Sequence, residues 1–445
     1  MDEAQWTDPY RLAPALPDPP DMDDLRDMAT DVREGSKGLE ATLAPETAQA
    51  IGDKLRIINS FYSNSIEGLV STYRNIENEV SRVESGEPPV FTPIPQDRYA
   101  QEVGAAHVQV EKELMDVVLE QNGNVSHPEF IAHIHQSIFS KLPPEHQFTH
   151  ERGHFTDIPV LPGTFRDGPI HVGNMNYSAQ IGPKTKEDLE ANMQAFGRIY
   201  NPATFKGGEA QVVAAAAAHL KLGWLHPFRD GNGRTIRLQS TLFLARCGVN
   251  RANLWSLSRG LSMRRGNYFG ALMVGNPQPT QDNREKVTFQ SENVAMFCED
   301  FLAIAKEQID FMKGQLRLRT VLDRIDRFAV ENLDSATYGP NKMEAARLLR
   351  AVFNEGSIER AKLPEILPGM GERTIRKISS GLLKDGLLAS RHTKAPFTIG
   401  LPAKAMSTYF PDLCIPSLMG AEAVREQAEQ KGRVPTKTVG GFEIG

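Results

Sequence analysis

The sequence predicts a mainly α-helical protein, in which a helical-bundle core with a small β-hairpin precedes a C-terminal winged helix-turn-helix domain. Three observations support this fold class. Apolar residues recur every three or four positions, for example at Ile51, Leu55 and Ile58, as they do along one face of a helix. No alternating strand pattern is visible before residue 385. Residues 342–401 indicate three helices followed by two short strands, which is the order of a winged helix.

Composition restricts the class of protein. A chain of 445 residues is too long for one ordinary core, so two or three domains are expected. The net charge of −6 argues against a chain that binds nucleic acid over its whole surface. Cys247, Cys298 and Cys414 are far apart and predict neither disulfides nor a zinc site. With no signal peptide and no apolar run of membrane-spanning length, we expect a cytoplasmic protein without a membrane partner.

Changes in composition divide the chain into five segments. Residues 142–183 are rich in Gly, Pro, Asn and His, and we expect a functional loop there with at most one small hairpin. The predicted segments are an irregular N-terminal extension (1–40) with short helical possibilities around residues 23–33, N-terminal helices (41–100), a catalytic core (101–310), a linker helix with the winged-helix domain (311–410) and a flexible tail (411–445).

The segment HPFRDGNGRTIR, residues 226–237, has the composition of a phosphate-binding turn that enters a helix. Gly231 and Gly233 can adopt backbone angles that side chains forbid, so that successive N–H groups converge on an anion. Arg234 and Arg237 are three residues apart on the following helix, which places both guanidinium groups on one face. Such groups suit the distal phosphates of a nucleotide. The segment therefore predicts a polyphosphate site.

Two further side chains of this segment predict chemistry as well as binding. Asp230 precedes the glycine turn and would repel phosphate unless a divalent cation lies between them. It therefore predicts a site for Mg²⁺ or Mn²⁺, held by one carboxylate and the phosphate oxygens. His226 has the pKa range of a general base near neutrality.

The same residues satisfy the motif HxFx[DE]GNGRxxR, and on this ground the chain resembles the Fic family. The resemblance implies a Fic-type helical core, with the motif in a loop between two central helices. It also implies a flap upstream of the motif, a small hairpin that aligns a segment of the target protein. GTFRDGPIHVGNMNYSAQIGP, residues 163–183, occupies the place of the flap, and SLSRGLSMRRGNYFGAL, residues 256–272, resembles the helix after the motif.

The resemblance further implies transfer of AMP from the substrate ATP to a Ser, Thr or Tyr hydroxyl of a protein. His226 would take the hydroxyl proton, and Asp230 would hold the metal beside the pyrophosphate. Backbone N–H groups of the turn would stabilise the developing charge, and these belong to Gly231, Asn232 and Gly233. Tyr268 and Asn276 are candidates for the adenine side, although packing or surface roles are favoured for both.

An inhibitory motif precedes the predicted core. SNSIEG, residues 63–68, satisfies the pattern [ST]xxxE[GN] of the inhibitory helix found in some Fic proteins, with Ser63, Glu67 and Gly68 at its fixed positions. Glu67 could pair with Arg237 and so remove the arginine that the γ-phosphate needs. The pairing could act within one chain or across a homodimer.

Other functions remain compatible with the motif. Relatives transfer phosphate or phosphocholine, and Glu67 could position water for the removal of AMP. A function of another class is a DNA-binding regulator whose Fic domain senses nucleotide without catalysis. The intact GNGRxxR and the presence of His226 favour AMP transfer from ATP.

The predicted winged helix carries a basic face. Its cations lie on the third helix and in the wing, at Arg373, Arg376, Lys377, Lys384, Arg391, His392 and Lys394. Such an arrangement could contact DNA phosphates. Because the chain is acidic and the module often serves in packing within the family, packing or target docking is favoured over DNA binding.

Overall fold

The structure, a computed structural model, describes residues 10–69, 71–88, 95–121, 123–151, 154–174, 177–279 and 287–413. Helices dominate it, and the strands are short. The helices are α1 (Pro19–Glu40), α2 (Pro45–Ile66), α3 (Tyr73–Ser85), α4 (Pro95–Glu120), α5 (Pro128–Ser140), α6 (Lys186–Ile199), α7 (Gly208–Leu225), α8 (Asn232–Arg246), α9 (Leu257–Met263), α10 (Arg265–Gly275), α11 (Ser291–Gln315), α12 (Leu318–Asn332), α13 (Ser335–Tyr338), α14 (Lys342–Glu355), α15 (Leu363–Ile366), α16 (Glu372–Lys384) and α17 (Ala403–Tyr409). The predicted mainly α fold class is thereby confirmed.

The strands form four small sheets in the described residues. Two are separate antiparallel hairpins, β2 (Phe148–Glu151) with β3 (His154–Pro159) and β4 (Ile170–Asn174) with β5 (Tyr177–Ile181). In a third sheet, β7 (Val287–Thr288) lies between β1 (Tyr10–Arg11) and β6 (Gln278–Pro279). In the fourth, β10 (Phe397–Ile399) lies between β8 (Ser357–Ile358) and β9 (Leu388–Ala389).

The centre of the bundle is α7, which is buried on nearly every side. Its alanine run, residues 214–218, is fully buried, and short side chains let neighbouring helices approach closely. Helices α1, α8 and α11 pack against it. On the other side of α8 lies α4, which packs against α2. The α7–α8 pair thus carries the 226–237 segment in the middle of the molecule, with the end of α2 nearby.

The prediction of an irregular segment over residues 1–40 is wrong for its second half. Pro19–Glu40 is a 22-residue helix that begins with proline, as first helical turns tolerate. It buries Leu25, Ala29 and Val32 against the body. The short helical possibilities at residues 23–33 are therefore part of a longer helix, whose length the abundance of Pro, Asp and Gly made hard to predict.

Three smaller expectations are also corrected. Residues 142–183 contain two hairpins where at most one was expected, and short strands do occur before residue 385. The sequence over residues 291–332 predicts one long helical stretch, which the structure divides at Leu316 into α11 and α12. Helix α4 runs across the predicted boundary at residue 100 and α11 across that at 310, so the division into domains stays a prediction. The tail from residue 414, with Cys414, lies outside the described residues.

The predicted C-terminal elements occur in the expected order. Helices α14, α15 and α16 are followed by the β9–β10 hairpin, and β8 adds a third strand. The assignment as a winged helix stays a prediction. No helix in the described part of the chain has the length and apolarity needed to span a bilayer.

Candidate active site

A cavity of about 840 Å³ lies beside the α7–α8 loop. Its walls come from the end of α2, the α7–α8 loop, α10 and the two hairpins β2–β3 and β4–β5. Several residues selected from the sequence line it together: Glu67, His226, Asp230, Gly231, Asn232, Gly233, Arg234, Arg237 and Tyr268. Residues far apart in the chain therefore share one site.

The α7–α8 loop depends on two residues with left-handed backbone angles. His226 caps α7 with φ of 46°, a conformation that costs a non-glycine residue about 1–2 kcal/mol. Gly231 precedes α8 with φ of 77°. A Cβ on Gly231 would lie 2.4 Å from the ring of Phe139, so both the conformation and the space require glycine there.

Arg166 holds the backbone at His226 through hydrogen bonds. Its buried guanidinium donates to the carbonyl of His226 at 2.8 Å, to that of Leu225 at 3.2 Å and to that of Gly168. The carbonyls of Leu225 and His226 lie at the end of α7, where helical partners run out, and the arginine satisfies them as a C-terminal cap would. Burial lowers the pKa of Arg166 to about 10, so it stays charged at neutral pH.

Asn232 and His135 brace the loop further along. The Asn232 side chain accepts from the N–H of Phe228 at 2.9 Å and donates to its carbonyl at 2.7 Å. His135 stacks on the Phe228 ring with 3.9 Å between centroids. Its Nδ1 accepts from Gly163 N–H at 2.9 Å, so Nε2 carries the proton and donates to the Asp230 carbonyl at 3.1 Å. Burial lowers the pKa of His135 to about 3, which keeps this tautomer neutral.

His226 presents an unprotonated nitrogen. Its Nδ1 lies 3.2 Å from the Gly223 carbonyl. Because a carbonyl can only accept, Nδ1 carries the proton and Nε2 keeps its lone pair. Burial lowers the pKa of His226 to about 4, so the imidazole is neutral at physiological pH. The arrangement can accept a proton from a group in the cavity.

Asp230 lies at the cavity wall, with its side chain 20% exposed. Its Oδ2 accepts from His150 N–H at 2.8 Å, and its Oδ1 accepts from Gly231 N–H and lies 3.4 Å from Arg234 Nη2. The described residues contain no group of three or more His, Cys, Asp and Glu side chains that could hold a metal. A hard cation at Asp230 would therefore need oxygens from phosphate or water to complete its ligands, as Mg²⁺ usually does.

The two arginines of α8 have different partners. Arg234 donates to the hydroxyl of Tyr99 at 3.3 Å and faces Asp230. Arg237 is almost completely buried and forms an ion pair with Glu67, with Nη2 2.6 Å from Oε1. It also donates to Ser63, from Nε to Oγ at 3.0 Å and from Nη2 to the carbonyl at 2.8 Å. The Ser63 and Glu67 positions of the SNSIEG motif thus converge on one guanidinium.

Glu67 lies over the glycine turn as well as against Arg237. It follows the last residue of α2 and precedes Gly68, whose φ of 80° ends the helix. A Cβ on Gly233 would lie only 2.0 Å from Glu67 Oε1, so the carboxylate touches the backbone of the turn. Burial alone would raise the pKa of Glu67, but the charge and hydrogen bond of Arg237 outweigh it and lower that pKa below its ordinary value.

The two adenine-side candidates differ. Tyr268 lines the cavity, and its hydroxyl contacts Nε2 of His219 at 2.8 Å. Burial raises the pKa of Tyr268 to about 12, so the hydroxyl stays protonated. Asn276 is not among the described residues that line the cavity.

Sequence reasoning missed several residues that build the site. Arg166, His135, His219 and Tyr99 are distant from the motif in the chain, and each contacts a residue that lines the cavity or its backbone. A basic or aromatic residue within a helix or loop carries no local signal for such a role. An arginine in a glycine-rich loop before the motif, as in GTFRDG, was the one available hint.

The site belongs to a region with known relatives. Residues 125–244 match the model of the Fic/DOC family. A protein named protein adenylyltransferase Fic from Nematostella vectensis is 40% identical over 98 residues, which are 20% of this chain and 19% of that protein. One of the same name from Drosophila ananassae is 40% identical over 90 residues, 20% of this chain and 17% of that protein. The alignments thus span about a fifth of the length of these curated relatives.

Solved structures of the same family name are also similar. A Fic family protein from Desulfovibrio desulfuricans G20 is 16% identical, with a TM-score of 0.47 over 89% of this chain and 99% of that chain. Fic-1 from C. elegans is 16% identical, with a TM-score of 0.47 over 67% of this chain and 74% of that chain. Taken with its intact motif, the match over residues 125–244 shows that the chain contains a Fic/DOC family domain.

Proposed function

We propose that this protein transfers AMP from ATP to the hydroxyl of a Ser, Thr or Tyr side chain in a target protein. The observation that carries the proposal is that His226, with a free Nε2, shares one cavity with the glycine turn and both arginines. A base beside a phosphate cradle is what nucleotidyl transfer to a hydroxyl requires. The curated relatives named protein adenylyltransferase support the same activity.

In this proposal the arginines and the glycine turn bind the nucleotide, and the histidine promotes attack on its α-phosphorus. Arg237 and Arg234 hold the distal phosphates, and the N–H groups of residues 231–233 stabilise charge on the transferred phosphoryl group. His226 Nε2 takes the proton of the target hydroxyl, whose oxygen forms a bond to the α-phosphorus. The bond from that phosphorus to the bridging oxygen breaks, and pyrophosphate leaves.

We assign Asp230 to a divalent cation, Mg²⁺ or Mn²⁺. When bound there, the cation would neutralise phosphate charge at the leaving group. The single part-exposed carboxylate fits an ion that takes most of its ligands from phosphate and water. The contacts from His150 N–H and Gly231 N–H fix the orientation of the carboxylate.

The β4–β5 hairpin supports a protein as the acceptor. Pro169, Ile170, His171 and Val172 line the cavity. In the described residues β4 pairs only with β5, so its other edge is open to main-chain hydrogen bonds. An extended target segment could add to this edge with little demand on its sequence.

Intact-mass spectrometry after incubation with ATP and Mg²⁺ tests the proposal. We expect the wild-type chain, or an added target, to gain an adenylyl group, and His226→Ala to abolish that gain. His133→Ala, which removes an exposed imidazole on a different helix, α5, is the matched control and should behave as wild type. Gain of a phosphoryl group alone, or equal gain by His226→Ala, would contradict AMP transfer.

We further propose that Glu67 inhibits this activity. Its carboxylate takes a hydrogen bond of Arg237 and lies against the backbone at Gly233, where negative charge competes with a distal phosphate. The pair forms within one chain, which supports inhibition within a single copy.

The change that tests inhibition is Glu67→Gly, with Glu67→Gln as a milder variant. A charge-assisted hydrogen bond contributes about 1.5–3 kcal/mol, and each 1.4 kcal/mol is tenfold in rate. Because Glu67 is partly exposed, we expect an increase in AMP incorporation of roughly tenfold. Glu84→Gln removes an exposed carboxylate from α3 and serves as the control. Equal incorporation by wild type and Glu67→Gly would refute the inhibitory role.

A further inference from the structure

The C-terminal module differs in charge from the rest of the chain. Residues 342–401 contain eleven Lys and Arg residues but only six Asp and Glu residues, a net charge of +5. Since the whole chain has a net charge of −6, the remainder carries −11. Such an asymmetry between two parts of one chain is typical of a polyanion-binding surface on one of them.

Four of the module's eleven Lys and Arg residues lie on one face of α16. Ile375, Ile378 and Leu382 are buried against the module's own core. The opposite face is exposed and carries Arg373, Arg376, Lys377 and Lys384. Spacings of three, four and seven residues place these cations in one stripe over about three helical turns, or roughly 16 Å. We call these four residues the basic stripe.

The hairpin after α16 extends the same charge. Arg391 and Lys394 lie in the turn between β9 and β10 and are exposed. Helix α16 itself follows α15 after a short turn, and the two helices pack against each other. No member of the basic stripe, nor either hairpin cation, forms an ion pair with a residue in the described part of the chain. Their charge is therefore not neutralised by a paired carboxylate in the described part of the chain.

The module contacts the catalytic part through other elements. Strand β10 and helix α14 pack against α2, and Thr47 Oγ1 donates to the Phe353 carbonyl at 2.8 Å in a buried contact. Packing against α2 and binding through α16 thus use different elements, so one does not compete with the other.

We infer that the basic stripe binds duplex DNA, with α16 at the major groove and Arg391 and Lys394 on flanking phosphates. An α-helix fits the major groove, and the second helix of a helix-turn-helix pair is the one that enters it. None of the exposed residues of α16, which besides the basic stripe are Glu372 and Ser380, has an apolar or aromatic side chain. A helix that binds a membrane surface exposes apolar residues, and protein interfaces are centred on aromatic anchors. Charge without such anchors matches a phosphate backbone.

The experiment is fluorescence anisotropy of a labelled DNA duplex titrated with the full-length protein over a range of salt concentrations. We expect a dissociation constant that rises steeply with salt, because binding releases counterions. Arg376→Ala/Lys377→Ala should weaken binding and reduce the slope of log Kd against log salt by about two, because each side chain neutralises one phosphate. Arg198→Ala/Lys206→Ala removes two exposed cations near α6 and should leave the slope unchanged.

Three results would overturn the inference. They are absence of binding at low salt, equal weakening in both double variants, and displacement of the duplex by polyglutamate of the same total charge as readily as by unlabelled duplex. AMP transfer is measured in separate reactions without DNA, so failure of one proposal leaves the other intact.

Discussion

The neutral imidazole of His226 has a consequence for pH dependence. Burial lowers its pKa to about 4, and the base is lost only when the ring is protonated, below that value. We expect kcat/KM for AMP incorporation by Glu67→Gly to stay level as pH falls to about 5.5, and to decline with a midpoint near the pKa of His226. A pH–rate series measures this midpoint. A decline centred on 6.5, the ordinary pKa of histidine, would contradict a buried, neutral base.

The contact of Glu67 with Gly233 can be tested through stability alone. In Gly233→Ala the new Cβ would overlap Glu67 Oε1, and such overpacking costs about 1–3 kcal/mol. The loss in unfolding free energy should shrink by at least half in a Glu67→Gly background, because the overlapping atom is gone. A double-mutant cycle by urea unfolding isolates this coupling. Additive effects of the two substitutions would show that the carboxylate does not occupy the turn.

At the scale of elements, the buried histidines of α4 and α7 differ in their hydrogen bonds, and we expect opposite effects when each is replaced. His107 on α4 has no hydrogen-bond partner for either ring nitrogen among the described residues. His219 on α7 contacts Ser240 Oγ and Tyr268 Oη, each at 2.8 Å. Burial lowers the pKa of both to about 3, so both are neutral at pH 7.

We therefore expect His107→Leu to be neutral or stabilising in urea unfolding at pH 7, because it removes unpaired buried nitrogens. His219→Leu should lower the unfolding free energy by roughly 1–3 kcal/mol, because it leaves two buried hydroxyls with fewer partners. Equal losses in the two variants would mean that the hydrogen bonds of His219 contribute nothing beyond packing. Each variant serves as the other's control.

At the scale of the whole molecule, the segment before α1 packs against the central helices. Lys221 on α7 is fully buried, and its Nζ donates to the carbonyls of Leu12, at 2.6 Å, and Pro14. The ammonium also lies 4.3 Å from the centre of the Phe289 ring. Tyr200 donates to the Ala15 carbonyl at 2.8 Å. The described part of the segment predicted to be an irregular extension is thus fastened to the core.

Lys221→Met tests this attachment. The substitution removes the donor to two carbonyls, and we expect a loss of roughly 1–3 kcal/mol together with faster proteolysis within residues 10–18. Burial lowers the pKa of Lys221 to about 7, so between that value and 10.5 the unfolded chain binds the extra proton. The free energy of unfolding of the wild type, relative to that of the variant, should therefore increase as pH rises from 7 to 9. A constant difference in Tm across this range would contradict a buried, easily deprotonated lysine.

Much of the helical architecture could be predicted because its signals are local. The three helices and two short strands predicted over residues 342–401 occur in that order, and α2 ends just before Gly68. Both signals, the spacing of apolar residues and a glycine that permits positive φ, depend only on residues that are close together in the chain. The length of α1 was harder to predict, since its polar and proline-rich composition left only short helical possibilities visible around residues 23–33.

By itself, the sequence determined the chemistry of the 226–237 segment. Its base, carboxylate, glycines and arginines are contiguous, so their spacing along one turn and one helix sets their relative positions. Only the tertiary structure decided which distant residues complete the site. Arg166 holds the His226 backbone and Glu67 holds Arg237, across separations of 60 and 170 residues. Such contacts depend on how buried helix faces pack, and no local pattern encodes that.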